Sequence, residues 1–416
     1  MSDIEVHIDF AQGVKRVGLL RRSPRRDGET VTFEYDDAWL KDPTRFSLEP
    51  ALSLRPGVYA PDRGLGMFGS IGDSAPDTWG RRLMQRAERR MAEREDRAVR
   101  TLLEADYLLG VSDAMRLGAL RFRRKGEEEF QAPARQGVPG LVELGHLLQV
   151  TERVLRGEDT DDDLQLIFAP GSSLGGARPK ASLVDTQGRL VIAKFPKETD
   201  DYSIELWEHV TLTLAQQAGI NVPEHQLVHV ADKPVLLSWR FDRGEDSRIP
   251  FLSGLSMMAL RDGDRASYPE LAEALLEHGA SAAADVAQLY RRMVFNVLVS
   301  NVDDHLRNHG FLWRSQNGWV LAPAYDLNPT PTDLRQRILT TRISLDEGTC
   351  DIDLVHSVAE YFGLATGAAD TIIGEVARAT STWRGVAGRV GASKREIERM
   401  ASAFEHGDLR KALARA

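Results

Sequence analysis

The sequence predicts an α+β chain in two lobes. A mixed α/β lobe with an added β-rich subdomain at its N-terminal side precedes a mainly helical C-terminal lobe. Three observations predict this. Strand-like alternation fills residues 1–60, strands mix with one helix over 165–242, and from about 253 onward apolar residues recur at helical spacing. At 416 residues two or three units are expected. We place them at 1–130, 131–245 and 246–416.

In order along the chain, Ile4, Val6 and Ile8 alternate, as do Val31, Phe33 and Tyr35. The run 21–28, with four arginines, a proline and a glycine, reads as a solvated turn between them. A charged helix is expected over about 77–97, facing solvent with i,i+4 ion pairs. Residues 124–139, with Pro133 and Pro139, read as a connector. A helix follows over about 141–157, then an acidic stretch at 158–163. A further helix at about 204–218 stops before Gly219 and Pro223. Val286, Leu289, Tyr290, Met293, Val294, Val297 and Leu298 mark a strong amphipathic helix. Two short strands, 310–313 and 319–322, come next, and a helical tail after 355 is expected to break at Gly363, Gly367 and Gly374.

Composition narrows the function classes. Apolar residues make up 42% of the chain, an ordinary globular share. With 53 Lys+Arg against 62 Asp+Glu the formal charge is −9, which suits a non-specific DNA binder poorly. Cys350 is the only cysteine, so an internal disulfide is impossible and a cysteine zinc site is not expected. No apolar run approaches the ~18 residues of a membrane span. The N-terminal segment lacks the basic-then-apolar pattern of a secretion leader. A reducing cytoplasm is the expected location, with no membrane partner.

The chemistry concentrates in 301–308, Asn-Val-Asp-Asp-His-Leu-Arg-Asn. Asp303 and Asn308 are five apart, the separation of Asp and Asn in H-R-D-x-x-x-x-N. Phosphoryl transfer needs a carboxylate to orient an attacking hydroxyl and take its proton, and a nearby neutral oxygen ligand for Mg²⁺. Asp326, just past a strand end, can supply a second metal ligand. Upstream, 171–180 reads Gly-Ser-Ser-Leu-Gly-Gly-Ala-Arg-Pro-Lys, whose glycines let backbone N–H groups approach phosphate oxygens. Ala177 stands where a Walker A loop has lysine. Lys194 ends an apolar strand, where a lysine can bridge non-transferred phosphates. Glu205, with Glu208 as second choice, can hold that lysine's direction. The apolar stretch 234–243 can offer backbone groups to an adenine edge. Phosphate loop, strand lysine, helix glutamate, inter-lobe strand, D-x-x-x-x-N and a final aspartate stand in the order of a two-lobed, ATP- and Mg²⁺-dependent phosphotransferase.

Order and wording together resemble the HipA family of serine/threonine kinase toxins from bacterial toxin–antitoxin systems. The resemblance covers nearly the whole chain: 68–82, 173–180, 191–196, 240–243, 301–308 and Tyr325 with Asp326. It implies a kinase-like fold in which Asp303 is the catalytic base and Asn308 and Asp326 hold Mg²⁺. Lys194 would contact ATP phosphates beside Gly175, Gly176 and Lys180. The backbone at Trp239 and Phe241 would meet adenine, and Asp242 the ribose. His305 is assigned a supporting role. Ser173, or its neighbour Ser172, would accept a phosphate that shuts the kinase down, because added negative charge in a phosphate loop repels ATP. The implied partners are a small helix-turn-helix antitoxin, operator DNA reached mainly through it, and a protein substrate such as an aminoacyl-tRNA synthetase. Two departures stand out: Trp239 occupies a position often acidic in the family, and Arg307 replaces the commoner lysine. A small-molecule kinase on the same fold, or a non-catalytic corepressor subunit, are the alternatives.

Overall fold

The computed structural model describes residues 3–25, 28–62, 64–131, 138–168, 176–245, 247–314 and 318–415. The chain forms two compact units. The first holds Met1–Lys197, His229–Lys233 and Leu237–Arg261, and the second Glu198–Val228, Pro234–Leu236 and Asp262–Ala416.

The first unit begins with an antiparallel sheet ordered β4-β3-β2-β1-β5. Its strands are β1 (Ile4–Phe10), β2 (Gly13–Arg25), β3 (Gly28–Tyr35), β4 (Val58–Tyr59) and β5 (Leu120–Arg124). Period-2 alternation places Ile4, Val6, Ile8, Leu20, Phe33 and Phe122 in the core. One expectation is corrected here: β2 runs through to Arg25, and Arg22 pairs with Val31 across the ladder rather than lying in a solvated turn. The Arg22 guanidinium is buried against Glu29 at 2.8 Å, so a paired arginine is carried inside a strand.

A second correction concerns the charged helix, Thr78–Arg94. Four of its arginines reach partners off the helix. Arg86 and Arg90 reach Asp159, Arg94 reaches Asp161, and Arg81 reaches Glu104. The acidic stretch is thus the partner of the basic helix, and part of it, Asp161–Phe168, is itself helical. The hairpin of β6 (Lys180–Val184) and β7 (Leu190–Lys194) sets Lys180 opposite Lys194. Then come β8 (His225–Val230), β9 (Lys233–Trp239) and β10 (Phe251–Ser253); residues of β8 and β9 fall in both units.

The second unit is mainly helical. Its elements include Ile204–Gln217, Tyr268–His278, Ala282–Leu298, Thr366–Ser381, Trp383–Val390 and Lys394–Phe404, with a hairpin of β11 (Gly310–Trp313) and β12 (Trp319–Leu321). Trp207, Trp383 and Phe404 fill its core, the last two stacked 4.6 Å apart. Helix Thr366–Ser381 runs straight through Gly367 and Gly374, where a break was expected. Burial of Ile372, Ile373, Val376 and Ala377 outweighs glycine's ~1 kcal/mol helix penalty. Among the described residues no helix is long and apolar enough to cross a membrane.

Candidate functional site

In the second unit, helix Ala282–Leu298 delivers the chain to the 301–308 loop. The helix ends as Ser300 takes φ 54°, and a 3-10 turn, Leu306–Asn308, closes the loop. The Asn308 side-chain amide donates to the Asp303 carbonyl at 3.2 Å, and the His305 N–H to the same oxygen at 2.9 Å. The loop is braced from outside: Thr340 N–H donates to the Val302 carbonyl and Thr341 N–H to that of Asp304. Arg337 donates to the Ser300 hydroxyl and the Val297 carbonyl.

These bonds put neighbouring aspartates in opposite environments. The Asp303 side chain is 61% exposed and accepts 3.0 Å from Arg335. Asp304 is buried, with Tyr268 donating its hydroxyl to Oδ2 and His309 Nε2 3.0 Å from Oδ1. Burial alone would push the Asp304 carboxyl up, but His309 and Tyr268 hold it below the ordinary range. Burial, with Asp304 adjacent, drives the Tyr268 phenol far up, so it stays a neutral donor. An outward carboxylate that can take a proton therefore sits on a fixed, charged floor. His305, two residues on, is half-buried.

Asp326 lies past β12 with φ 59°, and Tyr325 ties the two segments together by donating its hydroxyl to the Arg307 carbonyl at 2.7 Å. Asn308 uses its amide nitrogen on Asp303, so the amide oxygen is the atom it would offer a metal. One carboxylate and one amide oxygen form a donor set that fits Mg²⁺, which usually completes its shell with phosphates and water. Among the described residues no group of three or more His, Cys, Asp or Glu could hold a metal.

The first unit's candidates behave differently. Ser172, Ser173 and Gly175 lie outside the described residues. Gly176 adopts φ 109°, a conformation that favours glycine. Lys194 ends β7 half-buried. Lys180, expected near phosphates, has its ammonium buried, donating to Asp77 at 2.6 Å and to the Gly176 carbonyl at 3.5 Å. Asp77 also caps helix Thr78–Arg94 through the Gly80 N–H, and Trp79 Nε1 donates to the Lys180 carbonyl. The pair joins the start of β6 to the start of helix Thr78–Arg94.

Asp242 is likewise bonded within the protein. It is fully buried, accepting from Arg240 Nε at 2.6 Å, from Arg243 at 2.7 Å and from the Gly118 N–H at 2.7 Å. Burial would raise its carboxyl, yet Arg240 and Arg243 hold it well below the ordinary range. Both oxygens accept within the protein, which braces the strand exit. Trp239 is half-buried, its indole N–H on Asp185 at 2.9 Å, and Phe241 is half-buried near Phe251. Glu205 is 1% exposed near the start of its helix, in the second unit, whereas Lys194 is in the first. Sequence reasoning passed over Asp304, Tyr268 and His309. The available signal was Asn296, a polar residue inside the otherwise apolar run 293–298.

Two family models match the chain. Residues 9–105 match a family model described as HipA N-terminal domain, and residues 172–383 one described as HipA-like C-terminal domain. A Haemophilus influenzae protein provisionally named a kinase is 27% identical over 196 residues, covering 41% of this chain and 57% of its own. Kinase Y4mE of Sinorhizobium fredii, also provisionally named, is 26% identical over 335 residues, covering 72% of each chain. The fold is similar to that of Shewanella oneidensis HipA, solved with HipB and its operator DNA. The TM-score is 0.67 at 18% identity, over 99% of this chain and 96% of that one.

Proposed function

Because this chain belongs to the HipA family, we propose that it is an ATP-dependent serine/threonine protein kinase acting as the toxin of a toxin–antitoxin pair. The observation that carries the reading is the pairing of an exposed Asp303 with Asn308 on one rigid loop, pinned to the Asp326 segment by Tyr325. Asp303 orients the acceptor hydroxyl and takes its proton, while Asn308 and Asp326 hold Mg²⁺. Bound Mg²⁺ with ATP neutralises charge on the phosphate oxygens. Lys194 and the Gly-rich loop of the first unit hold phosphates, and the backbone at Trp239 and Phe241 meets adenine. Ser173, with Ser172 beside it, is the site of self-inactivation. The acceptor is a translation protein such as an aminoacyl-tRNA synthetase. A helix-turn-helix antitoxin is the partner and makes most of the DNA contact, in keeping with the chain's −9 charge.

The test is intact-mass spectrometry of dephosphorylated protein incubated with Mg-ATP and cell lysate. We expect phosphate on the protein itself and on a lysate protein. Asp303→Asn should lower transfer about 10³-fold, with nucleotide affinity unchanged. Full activity of Asp303→Asn would remove Asp303 as the base. Label passing only to metabolites would make this a small-molecule kinase. DNA retention with no turnover would make it a corepressor.

A further inference from the structure

We propose that Asn301 and Asn328 are positioning residues that set the direction of the Asp326 carboxylate through a buried hydrogen-bond relay. The inference rests on the kinase reading, in which Asp326 holds a divalent cation.

The relay begins at Asp304, which accepts from the Tyr268 hydroxyl. The hydroxyl oxygen accepts from Asn296 Nδ2 at 2.8 Å, and Asn296 Oδ1 accepts from Asn301 Nδ2 at 3.0 Å. Asn301 Oδ1 accepts the backbone N–H of Asn328 at 3.2 Å, and Asn328 Nδ2 donates to Asp326 Oδ1 at 3.2 Å. Tyr268, Asn296 and Asn301 are at most 1% exposed. The bonds therefore compete little with water, and leaving any of them unmade would strand a buried polar group.

The polarity of the relay is what fixes it. Asn296 and Asn301 each use oxygen and nitrogen on different partners, so reversing either amide would set like poles against each other at two contacts. Asn328 donates at both ends, its backbone to Asn301 and its side chain to Asp326. It is gripped from inside the helical core and in turn grips the carboxylate. The backbone is compatible with this: Asp326 holds φ 59°, a left-handed conformation that aspartate enters more readily than most residues. Tyr325 on the Arg307 carbonyl fixes the residue before it. A carboxylate so aimed need not be ordered by the metal, and groups that orient a ligand this way are worth about 10–100-fold in metal affinity. The four side chains come from helix Tyr268–His278, helix Ala282–Leu298, the 301–308 loop and the segment after β12.

Mn²⁺ titrated by electron paramagnetic resonance in the presence of ADP reads the effect directly. Asn328→Ala removes only the last link, and Asn301→Leu cuts the relay at its centre. We expect both to weaken Mn²⁺ binding about tenfold or more, with metal-free ADP affinity unchanged, and saturating Mn²⁺ to restore kcat for transfer. Asn301→Leu leaves Asn296 and Asn328 with unmet bonds. If it fails to fold, the half-buried Asn328→Ala decides alone. Unchanged Mn²⁺ affinity in a folded Asn328→Ala, with normal binding by the unaltered protein, overturns this inference and leaves the kinase reading standing. Absence of Mn²⁺ binding by the unaltered protein overturns both.

Discussion

The two units use charge in opposite ways. In the first, charged side chains are turned inward onto each other: Asp242 on Arg240 and Arg243, Asp77 on Lys180, Asp159 on Arg86. In the second, a buried polar set of Asp304, Tyr268, Asn296 and Asn301 lies beneath a loop that turns Asp303 outward. The first arrangement stitches distant segments together, since the Asp242 cluster joins the exit of β9 to residues 115–118 and the Asp77 cluster joins β6 to helix Thr78–Arg94. The second holds one reactive group still. Buried aspartates thus act as fasteners in one unit and as part of a mount in the other, and the partner separates the roles: arginine or lysine in the first, Tyr268 and His309 in the second.

The hardest blow to the first arrangement should be Asp242→Ala. Arg240 and Asp242 side chains are each 1% exposed, and a guanidinium keeps its charge at any accessible pH. Removing the carboxylate leaves that charge buried without its counter-ion, a loss of about 3–5 kcal/mol. Urea denaturation of the variant measures it. A loss below about 1 kcal/mol would mean the cluster is wet in solution and that Asp242 can face a ligand after all.

Which of these roles a sequence can show follows from the same distinction. The 301–308 loop, Asp326, the helix before the loop and the hairpin after it are contiguous and keep their spacing, so the order of motifs carries them. Asp242 and Lys180 stand in motifs just as clear, but their letters are the same whether the side chain faces a nucleotide or a partner such as Asp77, 103 residues away. The relay is harder still, because Tyr268, Asn296 and Asn328 become neighbours only when two helices and two loops converge. Asn296 within an apolar run was the one local hint. The helix through Gly374 failed for a similar reason: glycine's local penalty is legible, and the packing that overrides it is not.

A gentler variant sharpens the contrast within the first unit. Lys180→Met strands Asp77, but a carboxylate, unlike a guanidinium, can take a proton. Burial already pushes the Asp77 pKa above its usual value despite Lys180, and loss of the lysine should push it further. A raised folded-state pKa means stability that is present below the unfolded value of about 3.9 and lost as pH rises through the folded one. The deficit of Lys180→Met should therefore be small near pH 4 and grow to about 2–3 kcal/mol at pH 7. Denaturation midpoints across that range check it, and a deficit flat with pH would show that Asp77 stays charged without its partner.

The smallest effect is expected where the second unit has the same kind of pair in the open. Arg335 and Asp303 lie 3.0 Å apart, as an Arg–Asp pair should, but their side chains are 57% and 61% exposed. Water solvates both charges whether or not they meet, so Arg335→Ala should change stability by less than about 0.5 kcal/mol, in contrast to Asp242→Ala. Thermal denaturation of the two variants side by side sets burial against pairing with the chemistry held constant. Should Arg335→Ala cost as much as the buried pair, the outward pose of Asp303 would itself depend on that arginine. The loop's mount would then include a residue from the segment after Asp326.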